Sequence, residues 1–333
     1  MQYYAGLDIH KKTCQAIICT DKGNIIKEGK ITTEKEEIKE FFSEFKELTI
    51  AIEACNTWEH IFETLEMDGH QVVLAHPLKT RVIAEARVKT DRVDAKILMH
   101  LLRTGFLPTS YIPCREIRDL RNLVRRRIFL GRYTARLKNK IYAELLRQGI
   151  QYKRGPTLFN GRGRQWLRLL KISSVDSYLN MYESTLEEIK ILERELKNRA
   201  RQYKEAQLLT TIPGVGIYSA LIILSEIEDI TRFPCEEKLY AYAGVIPSVH
   251  QSGEHTYHGH ITKQGSKHLR WILTEAVRIH LIWTDRHMIE TKISRFYHRL
   301  CKKKPKNVAA IAAARKMLQI IYHMLKNQDE FRG

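Results

Sequence analysis

The chain has 333 residues, of which 44% are hydrophobic and 28% are charged. This length suits two or more domains, and this composition excludes a largely disordered protein. Lys and Arg total 56 against 38 acidic residues, a net charge of +18, and so large and clustered an excess favours a polyanionic partner over a charge that serves only solubility.

Residues 1–110 follow an alternating pattern of short apolar strands and amphipathic helices. Three apolar runs separated by turn residues predict an antiparallel meander, and two further strands that alternate with helices predict a mixed sheet in an α/β domain. Thr33 is the predicted cap of the first helix. The predicted strands are 3–9, 14–20, 25–32, 48–54 and 71–75, and the predicted helices are 34–45 and 57–67.

Residues 111–205 form a basic connector of helical or coiled-coil character. Between residues 115 and 168 there are sixteen Lys and Arg against three acidic residues. Leucine and isoleucine recur there at helical spacing, which predicts a long helix with an apolar packing seam. The surrounding arginines could contact nucleic-acid phosphates, and the triplet expected to do so is Arg125, Arg126 and Arg127.

Two further segments of this connector have distinct patterns. Residues 153–168 contain Gly-Pro and Gly-Arg-Gly, which indicates a loop or linker. Residues 184–203 are rich in charged residues at helical spacing and predict a second helix, in a hairpin or coiled-coil arrangement.

Residues 206–333 form a third, mainly α-helical domain. The segment 208–227 predicts a helix, a tight glycine turn and a second helix, similar to a helix-hairpin-helix element. Gly214 and Gly216 in that turn would let backbone N–H groups approach a phosphate at a helix N-terminus, although a plain helix–helix turn is the alternative. Residues 240–265 predict turns with scattered β-structure, and strong helices are predicted at 267–283 and 308–325.

Four acidic residues stand where predicted strands end and a helix begins. Asp8 lies at the end of the first strand, Glu53 at the end of the fourth, and Asp91 and Asp94 share one face of a helix start. Carboxylates that converge in this way repel one another unless a cation lies between them, and their hard oxygens suit Mg²⁺ or Mn²⁺. The alternative is that they are ordinary surface, capping or salt-bridge residues. The basic residues expected to contact phosphate beside them include His10, Lys11, Lys89 and Arg92.

The segment 242–270 combines serines, histidines and basic residues. A serine hydroxyl can attack phosphorus when its proton is removed and the developing charge is stabilised. Ser252 precedes a glycine in a predicted turn, which would expose its hydroxyl, although most serines in turns are structural. A zinc site is disfavoured because the nearby histidines lack a fourth ligand; these histidines are His255, His258 and His260.

The six cysteines form no CxxC pair, which is typical of reduced thiols inside a cell. The sequence contains no apolar run of about 18 residues, the length that a membrane-spanning helix needs. The N-terminal residues also lack the basic start and long apolar run of a signal peptide. We therefore expect no signal peptide and no membrane partner.

Several motifs resemble one known family. GLDIHK, AIEACNTW and KTDRVDAKIL resemble the Asp-Glu-Asp-Asp core of the RuvC-like transposases of the insertion-sequence 110 family. The pattern AGVxPxxxxSG…HGxIxKxGxxxLR resembles the serine-bearing transposase domain of the same family. The resemblance covers nearly the whole chain.

This resemblance implies a RuvC-like, RNase H-type fold for residues 1–110, with Mg²⁺ at the four acids. It implies that Ser252 is the nucleophile that forms a phosphoserine link to DNA, with Ser248 as the fallback. It also implies a structured guide non-coding RNA that pairs with donor and target DNA. The residues that look like further phosphate contacts are Lys263, Lys267 and Arg270.

The expected function is site-specific DNA recombination by the transposase of an insertion sequence, in the nucleoid-associated cytoplasm of a prokaryote. Because recombination needs two DNA partners, we expect a homodimer or a dimer of dimers. One alternative is a metal nuclease of the Holliday-junction resolvase class, which would use water as its nucleophile. Another is a nucleic-acid-binding regulator on a decayed transposase fold, which the presence of all four acids disfavours.

Overall fold

The chain forms two compact units, Met1–Ile112 and Pro113–Gly333. The computed structural model describes residues 2–83, 90–152, 155–252 and 255–333. We refer to the two units as the N-terminal and the C-terminal unit.

The N-terminal unit contains a six-stranded mixed sheet. Its strands are β1 (Tyr3–Ile9), β2 (Thr13–Thr20), β3 (Ile25–Thr32), β4 (Thr49–Glu53), β5 (Gln71–Ala75) and β6 (Thr109–Ser110). The order across the sheet is β3-β2-β1-β4-β5-β6. The first three strands are antiparallel, β4 runs parallel to β1 and to β5, and β6 is antiparallel to β5. The predicted meander and mixed sheet are therefore confirmed.

Helices cover both faces of this sheet. They are α1 (Lys35–Phe42), α2 (Trp58–Met67), α3 (Pro77–Ile83) and α4 (Asp91–Arg103). Ile38 of α1 and Ile61 of α2 share one core cluster with Leu7 and Ile52 of the sheet. On the other face, α4 contributes Ala95 and Met99 to a cluster with Ile17 and Cys19. Because successive side chains along a strand point to opposite faces, each of these two clusters lies on one face of the sheet.

The predicted capping of α1 by Thr33 is wrong. Glu34 is the N-cap residue and makes no side-chain capping hydrogen bond. The Thr33 hydroxyl instead donates to the backbone carbonyl of Lys11 at 3.3 Å, because the turn after β1 lies against it.

The C-terminal unit is mostly helical and contains one β-hairpin in its described residues. Its helices are α5 (Arg115–Arg147), α6 (Gly161–Leu169), α7 (Ser173–Ala200), α8 (Lys204–Leu209), α9 (Ile217–Ile227), α10 (Glu236–Ala243), α11 (Lys267–His287), α12 (Lys292–Cys301) and α13 (Lys306–Asn327). Two short 3₁₀ helices lie at Gly155–Phe159 and Ile230–Arg232. Strands β7 (Pro247–Ser252) and β8 (His255–Ile261) form the antiparallel hairpin.

The long helix α5 packs along α7 and joins two cores. It has 33 residues and is therefore about 50 Å long. Its first half places Leu120 and Val124 in the main core of the unit, together with α9, α11 and α13. Its second half places Ile141 and Leu145 in a separate core with Leu179 of α7. The first half of α5 thus shares the main core with the helices that follow the basic connector, and the second half lies in a core that the connector forms by itself.

The prediction of a loop or linker at residues 153–168 is wrong for most of its length. A 3₁₀ turn leads directly into α6. Asn160 caps α6 by accepting a hydrogen bond from the Gly163 N–H at 2.8 Å, and two arginines of α6 pair with Glu183 of α7 at 3.2 and 2.8 Å. These tertiary contacts and the cap outweigh the low helix propensity of glycine.

Helix α13 is long and apolar enough, by length and composition alone, to cross a membrane. More than half of its most apolar stretch is nevertheless buried within the protein. Ala313, Met317 and Ile321 lie in the main core of the C-terminal unit, so α13 is a core helix of that unit.

Candidate active site

Asp8 and Glu53 stand at equivalent ends of neighbouring parallel strands. Leu7 of β1 pairs with Ile52 of β4, and the next residue on each strand is one of the two acids. Side chains alternate along a strand, so both carboxylates point to the face opposite Leu7 and Ile52. Asp8 is only 4% exposed, whereas Glu53 is exposed to solvent.

Helix α4 approaches that same face at Gly6. A Cβ atom at position 6 would overlap the carbonyl oxygen of Ala95 and would lie 2.6 Å from the Met99 nitrogen, so only glycine permits this approach. Thr90 caps the helix by accepting a hydrogen bond from the Val93 N–H at 3.2 Å. The first turn of α4 therefore starts beside the end of β1.

That first turn brings Asp91 and Asp94 towards Asp8, with His10 between them. The Nε2 atom of His10 lies 3.3 Å from Oδ2 of Asp8 and 3.1 Å from Oδ1 of Asp91. One potential ligand atom from each of Asp8, His10 and Asp91 lies within 4.8 Å of the others. The sequence placed His10 among the basic residues beside Asp8; its bridging position depends on the docking of α4.

The pKa of Asp8 reflects its burial and the acidic residues around it. The pKa of its carboxyl is raised from 3.8 to about 6, first by burial and then by the negative charges of Glu53, Asp94 and Asp91, while His10 opposes the shift. All three other predicted acids are therefore near enough to act on Asp8.

This donor set fits a divalent cation. A cation would offset the repulsion among the carboxylates and the cost of ionising a buried aspartate. Carboxylate oxygens suit Mg²⁺, and an imidazole nitrogen beside them is compatible with Mn²⁺.

The basic residues predicted around these acids lie in different settings. Lys11 is exposed in the turn between β1 and β2. The guanidinium of Arg92 makes two contacts with the carboxylate of Glu28 on β3, at 2.5 and 2.8 Å, so a phosphate would have to compete with that pair. Lys89 lies outside the described residues.

Ser252 is the last residue of β7. It pairs in register with His255, the first residue of β8, so it lies at the tip of the hairpin, where the sequence predicted a turn. Its side chain lies outside the described residues, as do the side chains of His255 and His258. The fallback, Ser248, is half-buried, and its hydroxyl lies over Gly259, where a Cβ atom would overlap it.

The two glycines of the turn between α8 and α9 differ in their surroundings. Gly214 has φ +95°, and a Cβ atom there would lie 2.6 Å from the His280 nitrogen and 2.7 Å from the Ala276 carbonyl oxygen of α11. His280 also bonds the Pro213 carbonyl oxygen at 2.7 Å. Gly216 is the N-cap of α9 and faces open space. Helix packing therefore explains Gly214, and Gly216 leaves the start of α9 accessible.

Each arginine of the predicted triplet makes an ion pair inside the C-terminal unit. The distances are 2.8 Å from Arg125 to Glu226, 3.4 Å from Arg126 to Glu188, and 2.7 Å from Arg127 to Glu193. Burial would raise the pKa of Glu226, but Arg125 and its other hydrogen-bonding neighbours hold the pKa below its ordinary value. These contacts attach α5 to α7 and α9.

The last three predicted phosphate contacts lie around the start of α11. Lys263 is exposed in a left-handed conformation with φ 54°, and Lys267 is exposed at the first position of α11. Arg270 is half-buried and donates to the Ala243 carbonyl oxygen at 2.8 Å. The two lysines therefore remain accessible to an anion, while Arg270 supports the end of α10.

Comparisons with known proteins find similarity to transposases over nearly the whole chain. A family model that is named for the DEDD transposases of IS110 and described as "Transposase" matches residues 5–149, and one described as "Transposase IS116/IS110/IS902 family" matches residues 206–292. The transposase for insertion sequence element IS1111A of Coxiella burnetii is 26% identical, over 98% of this chain and 90% of its own length. The transposase for element IS1328 of Yersinia enterocolitica is 23% identical over 95% of both chains. A probable family 20 transposase of Pseudomonas aeruginosa is 23% identical over 98% of both.

Proposed function

Because the chain belongs to the insertion-sequence 110 family of transposases and is thus an enzyme that cuts and rejoins DNA, we propose that it performs site-specific recombination through a phosphoserine intermediate at Ser252. The observation that carries the metal-dependent part of this proposal is the convergence of Asp91 and His10 on the buried Asp8, within the electrostatic reach of Glu53 and Asp94. The serine part is supported by the position of Ser252 at the tip of the β7–β8 hairpin.

The N-terminal unit is proposed to have a RuvC-like, RNase H-type fold. In support, three antiparallel strands are followed by two parallel ones, and the first and fourth strands are neighbours at the centre of the sheet. The central strands carry Asp8 and Glu53 at adjacent ends, and a helix docked on Gly6 supplies the remaining two acids.

The four acids are proposed to hold Mg²⁺, with Mn²⁺ as a substitute. Such an ion would supply positive charge to a phosphate and to the leaving oxygen. The chain's own contribution is to bury Asp8 beside Asp91 and to orient both carboxylates through His10, whose charge opposes the rise in the pKa of Asp8, while the bound cation would favour the ionised carboxylate.

In the proposed reaction, the hydroxyl oxygen of Ser252 forms a bond to a DNA phosphorus while the bond from that phosphorus to one deoxyribose oxygen breaks. The serine proton passes to a base, and the departing oxygen gains a proton. Rejoining reverses these steps with a different DNA end, so no bond energy is lost and no nucleotide cofactor is consumed. Support comes from the position of Ser252 at the tip of the β7–β8 hairpin and from the exposed Lys263 and Lys267.

The chain is proposed to comprise a catalytic domain at residues 1–110, the basic connector at residues 111–205 and a serine domain at residues 206–333. The basic connector is proposed to bind the phosphates of a structured guide RNA. The excess of Lys and Arg from residue 115 to 168 supports a sequence-independent grip. Because Arg125, Arg126 and Arg127 make ion pairs within the unit, other basic residues of α5 are proposed to carry part of that contact.

We further propose that the enzyme acts as a homodimer or a dimer of dimers, in which the acids and the serine of one reaction centre come from different subunits. An Asp8→Ala subunit mixed with a Ser252→Ala subunit should then recover part of the activity that each variant lacks alone. Mixtures that stay inactive at every ratio would contradict this arrangement.

A DNA-cleavage assay tests the proposal. Purified protein would be incubated with the DNA ends and flanking RNA of its element and with Mg²⁺, and covalent protein–DNA adducts would be resolved on a denaturing gel. We expect an adduct with wild type and with Ser248→Ala, and none with Ser252→Ala or Asp91→Asn.

The matched control for the acid is Asp119→Asn, a carboxylate of α5 outside the site, which should leave the adduct intact. Cleavage without an adduct, at the same rate in Ser252→Ala, would favour the water-using nuclease of the Holliday-junction resolvase class instead.

A further inference from the structure

A cavity in the C-terminal unit lies between α5 and the first turn of α11. Its volume is about 240 Å³, below the ~300–1,000 Å³ typical of sites that enclose a whole small molecule. It therefore suits one part of a larger ligand that continues outside. The residues that line it are Arg125, Ile128, Phe129, Arg132, Tyr133, Arg136 and His268.

One face of α5 supplies most of this lining. Arg125, Phe129, Arg132 and Arg136 recur at intervals of four, three and four residues, so their side chains project in the same direction. Arg132 and Arg136 are exposed and make no ion pair within the described part of the chain. They differ in this respect from the triplet at 125–127, whose charges are already matched by acids.

An aromatic surface lies beside these arginines on α5. Phe129 is 61% exposed, and its ring is parallel to that of Tyr133, at an interplanar angle of 3° and a centroid distance of 6.2 Å. Because most of the Phe129 side chain is exposed, packing in the protein core does not explain a phenylalanine at this position. A flat aromatic ring offered to solvent beside arginines is typical of sites that stack nucleic-acid bases.

Helix α11 closes the other side of the cavity. The Nδ1 atom of His268 is buried and has no hydrogen-bond partner among the described residues, and the guanidinium of Arg132 lies 6.0 Å from the ring centroid of Trp271. Buried polar atoms nearly always have partners, so His268 can bond a group that enters the cavity.

We propose that this cavity binds one unpaired nucleotide of a nucleic-acid strand, with its base stacked on Phe129 and its flanking phosphates on Arg132 and Arg136. A base within a continuous duplex hides both of its faces in the stack, so only a flipped, looped or single-stranded nucleotide can present one. The inference rests on the nucleic-acid binding in the proposed function and adds a site and a ligand class to it.

Fluorescence anisotropy with labelled oligonucleotides tests this site. The probes are single-stranded oligoriboadenylate, single-stranded oligodeoxyadenylate and a mixed-sequence DNA duplex of equal length. Phe129→Leu keeps the charge and removes the aromatic face, so single-strand affinity should fall about 10-fold while duplex affinity stays the same. Phe129→Tyr should bind as wild type does.

The charge of the site is tested separately. Arg132→Gln combined with Arg136→Gln should lower the slope of log affinity against log salt by about 1.4 for single strands. Arg194→Gln combined with Lys197→Gln, at two exposed basic residues of α7 outside the cavity, is the matched control for a general loss of two charges. The ratio of ribo- to deoxyriboadenylate affinity identifies which strand the site prefers.

Unchanged single-strand binding in Phe129→Leu, or an equal loss for duplex, would overturn the inference. The adduct assay on the same preparations keeps the two proposals apart. A serine-linked adduct with no effect of Phe129→Leu would remove only the nucleotide site. A stacking effect without any adduct would remove only the phosphoserine mechanism.

Discussion

Removal of the Asp8 charge should stabilise the protein while it abolishes activity. Asp8 is buried, and its pKa in the fold is about 6 against an ordinary 3.8. Well below pH 3.8 the carboxyl is protonated in both the folded and the unfolded chain, so the shift has no effect. As the pH rises from 3.8 towards 6, only the unfolded chain ionises freely, and stability is lost. Above pH ~6 the penalty is complete at about 3 kcal/mol.

Asp8→Asn removes this penalty. In metal-free buffer at pH 8, we expect its free energy of unfolding to exceed that of wild type by up to about 3 kcal/mol, and the difference to fade towards pH 4. Urea denaturation across this pH range, with a chelator present, measures it. Glu47→Gln, a change to an exposed carboxylate of the same unit, should alter stability by less than about 0.5 kcal/mol.

Added Mg²⁺ gives a second comparison. It should stabilise wild type, because an ion bound only by the folded state shifts the unfolding equilibrium, and it should leave Asp8→Asn nearly unchanged. A variant that is less stable than wild type at pH 8, with a difference that does not depend on pH, would refute the reasoning about Asp8.

Two further substitutions test the C-terminal unit by chemical denaturation. Gly214→Ala should cost about 2–4 kcal/mol, because the new methyl group would press on the backbone at His280 in a left-handed conformation; Gly216→Ala, which faces open space, should cost about 1 kcal/mol or less. Equal effects would contradict the packing role of Gly214. Glu226→Gln should cost about 2 kcal/mol at neutral pH by leaving Arg125 without its partner. The pKa of Glu226 lies below its ordinary 4.5, so this advantage of wild type should be present above pH 4.5 and shrink as the pH falls. A cost that grows in acid would contradict the ion pair.

The strands and acids of the N-terminal unit could be predicted because their signals are local. The run from Tyr3 to Ile9 is apolar and ends beside turn residues, and Gln71–Ala75 is bounded in the same way. Parallel pairing of β1 with β4 then brings Asp8 and Glu53 together, as expected for adjacent strand ends.

The missed features depend on contacts between distant parts of the chain. The partner of Arg125 lies 101 residues further on, and no local pattern indicates it. Residues 153–168 contain glycine and proline, yet α6 forms there because Glu183 of α7 pairs with its arginines. The position of His10 between Asp8 and Asp91 requires that α4 dock on β1.

Identification of the DNA-linked residue by mass spectrometry tests the phosphoserine mechanism most directly. The adduct would be trimmed with nuclease and then digested with trypsin, which leaves Ser248 and Ser252 on one peptide that ends at Lys263. We predict a deoxynucleotide on Ser252, localised by fragmentation. A deoxynucleotide on another residue of that peptide, or cleaved DNA with every peptide unmodified, would contradict Ser252 as the nucleophile.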